Sequence, residues 1–319
     1  MHTYKAAIRQ ALIDAMVANP RTMMTGQDIG RFSASGLSAG LVDRFGPQRI
    51  RDCPISESAM IGMAVGAAMK GWTSVVELAY ADISAVAFGS IVHSACKLRF
   101  STAGQLDCPV IIHAPIGRGS RHGPMGTEIT ASWYCNVPDL AICMPATPDE
   151  AYWQLREAFN RKTPTLYLPD RSLFDASGDI GDGSGAGRAK VVHPGTDLSI
   201  VAAGRALALA RDAAVQLQAE GVSAEVLSLG HVKPFDHEAL ERSARRTRRM
   251  LVVQDEPGYG GYGAIALASL AQLPAGTLER AARLLCREET FLPHLGEEGP
   301  LPTVAQIAEE ARSLVAGPA

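Results

Sequence analysis

Short apolar runs alternate with helical stretches along the whole chain, and this alternation limits the possible folds more than any other feature. In the first half the runs are Thr22–Thr25, Ser74–Leu78, Pro109–His113, Leu140–Met144 and Thr165–Leu168. They are apolar almost throughout, as strands buried on both faces are. Helical stretches such as Glu57–Lys70 and Pro148–Asn160 lie between them. The second half repeats the pattern with runs at Asp197–Ala203, Ala224–Leu229 and Met250–Gln254, separated by helices over Ala206–Glu220 and Phe235–Arg246. Such alternation predicts the α/β class with parallel sheets.

A seam divides the two halves. Asp175 to Arg188 reads DASGDIGDGSGAGR, carries neither period, and is expected to be a linker or surface loop. The expected domains are 1–175 and 188–319, joined by a linker over 176–187. A chain of 319 residues, 47% hydrophobic, can bury a core in each.

Charge and cysteine content narrow the function. Thirty Lys and Arg against 33 Asp and Glu leave a net charge of −3, so no basic excess points to nucleic acid. The one dense basic cluster, Arg245, Arg246, Arg248 and Arg249, ends a helical stretch, where cations favour the dipole; a solvated helix end is expected. Six cysteines are scattered without a Cys-x-x-Cys pair, and no His cluster has ligand spacing, so no metal site is expected within the chain. No run of 18 uncharged apolar residues is present, and nothing is expected to span a membrane. His2 to Met16 is a mixed amphipathic stretch with Lys5, Arg9 and Asp14, unlike a secretory leader, and a cytoplasmic protein is expected.

The segment Asp52-Cys-Pro-Ile-Ser-Glu57 opens the helix over 57–70. Pro54 ends an extended stretch, Ser56 is expected to cap the helix, and Glu57 gains from its dipole. Ser58, Gly62 and Gly66 then recur every four residues. Glycine costs about 1 kcal/mol in a helix interior unless something needs the space. An acid at the mouth of a helix suited to close packing suggests a cleft between subunits.

Pro54-Ile-Ser-Glu57 and its Gly-rich helix resemble the β subunits of the thiamine-diphosphate-dependent pyruvate, acetoin and branched-chain 2-oxo-acid dehydrogenases. These belong to the transketolase-like superfamily. The resemblance continues through Thr25-Gly-Gln-Asp-Ile-Gly30, where relatives normally carry an acid at Gln27, and through Phe45-Gly-Pro-Gln-Arg-Ile50, Val76-Glu-Leu-Ala-Tyr-Ala-Asp82 and Cys96-Lys-Leu-Arg-Phe100. Val232-Lys-Pro-Phe-Asp236 and Gln254-Asp-Glu-Pro-Gly-Tyr-Gly-Gly-Tyr-Gly263 extend it into the second half. It implies a transketolase-like pyrimidine-binding domain followed by a transketolase C-terminal-like domain. It also implies that Glu57 bonds the 1′ nitrogen of the thiamine aminopyrimidine, that Tyr80 stacks on that ring, and that Gln27 and Asp28 lie at the cofactor. A carboxylic acid at the 1′ nitrogen promotes the imino tautomer with which the cofactor acts as its own base. In domain two, Gly260, Gly261 and Gly263 are expected to serve a structural turn, and the domain to build a ββ contact.

The diphosphate and magnesium need a second motif, Gly-Asp-Gly followed some 25–30 residues later by Asn. Gly181-Asp182-Gly183 is present, but no Asn follows Asn160, so the oxygen ligands magnesium prefers are incomplete. The motif also lies in the linker. The resemblance implies that a partner α subunit holds the diphosphate and magnesium in an α2β2 heterotetramer, and that a lipoyl or acyl carrier protein takes the product.

Two departures affect the substrate. Where the dehydrogenases carry His-Ser-Gln, this chain has Gly126-Thr127-Glu128; His122, upstream in the same glycine-rich loop, is a candidate catalytic replacement. Phe88-Gly-Ser90 stands where relatives carry Asp-Gln. Decarboxylation of a 2-oxo acid with acyl transfer to a lipoyl carrier is the first expectation. The alternatives are transfer of a two-carbon ketol unit from a ketose phosphate to a carrier protein, as in a split transketolase, and a non-catalytic partner of an α subunit. Arg118 and Arg121 suit a phosphorylated or carboxylated donor.

Overall fold

The computed structural model describes residues 1–30, 32–33, 35–117, 123–293 and 299–317. Among these, two main sheets form. The first contains β1 (Thr22–Gly26), β2 (Ile50–Asp52), β3 (Thr73–Glu77), β4 (Val110–His113), β5 (Ala141–Cys143) and β6 (Thr165–Tyr167). The second contains β7 (Lys190–His193), β8 (Leu198–Ala202), β9 (Ala224–Ser228), β11 (Met250–Pro257) and β12 (Arg283–Arg287). The intervening strand β10 (His231–Lys233) crosses back and completes the first sheet as its seventh strand, in the order β10-β5-β6-β4-β3-β1-β2. The second sheet runs β12-β11-β8-β9-β7. Pairing is parallel except where β10 meets β5 and β7 meets β9. The expected α/β class with parallel-dominated sheets is what the chain adopts.

The longer α-helices are α1 (Tyr4–Ala18), α2 (Glu57–Ala68), α3 (Pro148–Ala158), α4 (Gly204–Ala219), α5 (His237–Thr247), α6 (Gly261–Leu270) and α7 (Val304–Ala316). Their starts follow local chemistry. Thr147 accepts from the Glu150 amide while Pro148 opens α3 and Asp149 and Glu150 fill its first turn. Thr303 and Gln306 form a reciprocal capping box on α7. The Arg cluster does end α5, with Arg248 at φ 61°. It is not simply solvated, however: Arg245 pairs with Glu241, Arg246 with Glu225, and both Arg248 and Arg249 with Glu279.

A continuous core joins the halves. Met60, Val76, Ile112 and Leu168 pack in one cluster with Val201, Leu229, Leu240, Val252 and Tyr262. The glycine-rich segment before β7 lies against α3. Trp153 donates its indole N–H to the Gly181 carbonyl at 3.0 Å, and a Cβ on Gly183 would fall 2.7 Å from the Trp153 ring. No helix among the described residues is long and apolar enough to cross a membrane.

Candidate active site

In open parallel sheets, ligands bind at the carboxyl ends of the strands. At that edge of the first sheet, β2 runs beside β1, and the chain then turns through Cys53 and Pro54 into α2. The turn is fixed from below: the Cys53 amide donates to the Gly26 carbonyl at 2.9 Å, and the Gly30 amide donates to Asp52 Oδ1 at 2.6 Å. Glu57 is the first residue of α2 and is 7% exposed. No hydrogen bond or ion pair from the described residues engages its carboxylate. Its oxygens keep some contact with solvent, so the carboxylate stays within reach of a group supplied from outside the chain.

Ser56 occupies the cap position but does not cap the helix. Its φ and ψ of −167° and 65° turn the hydroxyl away, and it donates to the Pro54 carbonyl at 3.0 Å instead. The small-residue stripe of α2 faces outward. Ser58, Gly62 and Gly66 are exposed, and a Cβ at Gly62 or Gly66 would meet nothing within 4 Å. Whatever these glycines admit is not another part of the described chain.

Gln27 is half-buried just past the end of β1, its Nε2 donating to Asp28 Oδ2 at 3.4 Å. Asp28 is exposed and left-handed, at φ 56°. Tyr80 is half-buried in the loop after β3, with the Arg171 guanidinium 4.9 Å from its ring centroid. Glu57, Gln27, Asp28 and Tyr80 thus all follow or flank the carboxyl ends of neighbouring strands β1, β2 and β3. His122, with Arg118 and Arg121, lies outside the described residues.

The departures at 126–128 have a visible purpose at one position. Gly126 has φ 131°, a backbone setting that side chains rarely adopt. Glu128 turns to the second domain, where Arg287 binds it through two hydrogen bonds of 3.2 and 2.8 Å. Phe88, 39% exposed, packs its ring 5.2 Å from Tyr134.

Sequence reasoning missed the polar groups beneath Tyr80. Glu77 and His113 end adjacent strands β3 and β4, directly across from each other. Glu77 Oε1 accepts from the Ser35 hydroxyl at 2.7 Å, while Oε2 has no hydrogen-bond partner. Burial pushes the Glu77 carboxyl up to about 7, against the Ser35 bond and the charges of Arg171 and Lys5. His113 is fully buried, neither ring nitrogen is hydrogen-bonded, and Nδ1 lies 3.9 Å from Glu77 Oε2. Burial, then the Arg171 charge, pushes this imidazole down to about 3. The available signal was a polar residue closing an otherwise apolar strand.

The Gly181-Asp182-Gly183 segment folds its acid onto its own loop. Asp182 Oδ1 accepts from the Ser184 amide at 2.9 Å, which together with the Ser184 side chain holds its carboxyl below the usual range. Among the described residues no group of three His, Cys, Asp or Glu could hold a metal ion.

Two sheets of this order, with an acid at the first helix after β2, define a transketolase-like chain. The family model for the transketolase pyrimidine-binding domain matches residues 1–175, and that for the transketolase C-terminal domain matches 187–307. The β-2 subunit of the mitochondrial pyruvate dehydrogenase E1 component of Oryza sativa subsp. japonica is 30% identical over 97% of this chain and 85% of its own length. The β subunit of acetoin:2,6-dichlorophenolindophenol oxidoreductase of Cupriavidus necator is 31% identical over 98% and 97%. A solved structure described as a split-gene transketolase, inactive β4 tetramer, superposes with TM-score 0.78 at 21% identity over 97% of both chains, a likeness of fold. The chain belongs to the family of 2-oxo-acid dehydrogenase E1 β subunits built on these two transketolase domains.

Proposed function

We propose that this chain is the β subunit of a thiamine-diphosphate-dependent 2-oxo-acid dehydrogenase, working with an α subunit in an α2β2 assembly and passing an acyl group to a lipoyl carrier. The observation that carries this reading is Glu57: a carboxylate on a residue only 7% exposed, without a partner among the described residues, at the open end of a parallel sheet. When bound, thiamine diphosphate would supply a carbon nucleophile for the carbonyl of a 2-oxo acid. Glu57 holds a proton at the 1′ nitrogen of the aminopyrimidine, Tyr80 lies against the ring face, and Gln27 and Asp28 line the loop beside it. In this reading the α subunit holds the diphosphate and magnesium; the Gly181-Asp182-Gly183 run without a following Asn supports it. The exposed Ser58, Gly62 and Gly66 face of α2 supports close approach by another subunit.

The test is reconstitution. The complex is offered pyruvate, longer 2-oxo acids and ketose phosphates, with transfer to lipoyl or acyl carrier protein followed by mass. Decarboxylation of a 2-oxo acid dependent on thiamine diphosphate is expected; transfer from a ketose phosphate alone would overturn it. That second outcome has one observation in its favour, Gly126 in place of the dehydrogenase histidine.

A further inference from the structure

Tyr80 offers its ring from a loop, half-exposed, and a flat ligand needs that ring held in one place. The loops after β3, β4 and β6 are laced together at this edge. The Ala81 amide donates to the Pro115 carbonyl at 3.0 Å, the Ile116 amide to the Pro169 carbonyl at 3.0 Å, and the Arg171 amide to the Ile116 carbonyl at 3.0 Å. Asp170, buried, accepts from the Ser172 amide at 2.8 Å and hydroxyl at 2.6 Å, fixing the short turn that carries Arg171. From this frame the Arg171 side chain reaches back two strands. It donates to the carbonyl of Ala79, the residue before Tyr80, and sets its guanidinium over the Tyr80 ring. Glu77 is the carboxylate that faces this cation; Lys5, Ser35 and His113 complete the groups around Glu77.

We infer that Arg171 is a positioning residue for cofactor binding: its guanidinium occupies one face of Tyr80 and clamps the preceding carbonyl, so that the opposite ring face is presented to the aminopyrimidine. This rests on the thiamine-dependent reading above. A cation over an aromatic ring fixes its plane at a cost no apolar neighbour would incur, because the half-buried guanidinium is partly desolvated. Burial indeed pulls Arg171 below its ordinary range.

The reconstituted complex tests this with Arg171→Met and Arg171→Lys, titrated with thiamine diphosphate. For Arg171→Met the cofactor concentration giving half-maximal activity should rise about tenfold, while kcat at saturation falls no more than about threefold. Arg171→Lys keeps the charge without the planar fork and should give a smaller rise; it also serves if the Met variant does not assemble. Combined with Tyr80→Ala, the Arg171 substitution should add nothing further to the cofactor requirement. Unchanged cofactor requirement in a complex whose wild type depends on thiamine diphosphate, or multiplicative effects with Tyr80→Ala, would overturn the inference alone. A wild-type complex indifferent to thiamine diphosphate would overturn the functional reading and this inference with it.

Discussion

The carboxyl edges of the two sheets have similar topology and opposite character. At the second, β11 ends in Gln254, Asp255 and Glu256, all buried. Asp255 accepts from Arg205 at 2.9 Å, Glu256 from the Ser132 amide at 2.8 Å, and Gln254 from the Gly263 amide at 2.7 Å. A Cβ on Gly263 would lie 2.5 Å from that Gln254 oxygen, so the glycine turn is a packing requirement. Arg287 closes the set on Glu128 of the first domain. At the first edge, Glu57 meets no partner among the described residues, Glu77 leaves one oxygen unpaired, and His113 leaves both nitrogens unpaired. The second edge ties most of these groups into bonds, two of them to the first half, while Glu256 Oε2 and Arg287 Nε stay unpaired. The first leaves Glu77 Oε2 and both His113 nitrogens unpaired and its helix face open.

The contrast is sharpest at Glu57. Glu57→Gln should lower turnover of the reconstituted complex by roughly 10²–10⁴, with the melting temperature nearly unchanged. Full turnover would remove the functional half of the comparison. At the closed edge the order reverses. Arg287→Ala leaves a largely buried Glu128 uncompensated and should cost about 3 kcal/mol in urea unfolding. A double change of Glu128 and Arg287 to apolar residues of similar size should recover much of that loss. A negligible effect of Arg287→Ala would mean the edge is not a clamp.

The pH dependence separates the groups further. The Glu77 carboxyl lies near 4.5 when unfolded and about 7 when folded. Between those values the folded chain binds the extra proton, so this stabilisation is complete below pH 4.5 and is lost as pH rises through 7. His113 has the opposite sign. Its depressed value, about 3 against 6.5, makes its share present above pH 6.5 and lost as pH falls toward 3. Asp255 and Glu256, raised by burial to about 6 and about 7, add to the alkaline loss. The stability of Glu77→Gln relative to wild type should therefore grow by about 1–3 kcal/mol from pH 5 to pH 8. An unchanged difference across that range would rule out a raised Glu77. The smallest effect belongs to α2. Gly62→Ala should stabilise the isolated chain by about 0.5–1 kcal/mol, since the added carbon has room, yet weaken assembly with an α subunit measured by sedimentation. Stronger assembly would show that the stripe is not a contact.

Much of this was legible because apolar strands announce themselves. Thr22–Gly26, Thr73–Glu77 and Leu198–Ala202 are buried at every position, as their composition demanded. Edge strands were not legible. Ile50–Asp52, Lys190–His193 and Arg283–Arg287 are half-exposed and carry charges, so their pairing depends on neighbours far along the chain. Glu57 could be located from its helix start, but Ser56 was misjudged as a cap because its role is set by a backbone torsion. Arg171 left no trace in sequence: its target lies 91 residues earlier, and only the lacing of three loops brings them together.

The borrowed strand β10 has a consequence for any attempt to treat the halves as modules. Severing the chain in the glycine-rich segment would strip His231–Lys233 from Ala141–Cys143 and leave that strand with a bare, unpaired border. Such borders recruit other chains and seed aggregation. A pyrimidine-binding half made alone would need residues through Lys233, a second half grafted from a relative would have to bring a strand of matching register, and recombination between these genes is expected to tolerate junctions beyond β10 better than the apparent seam before β7.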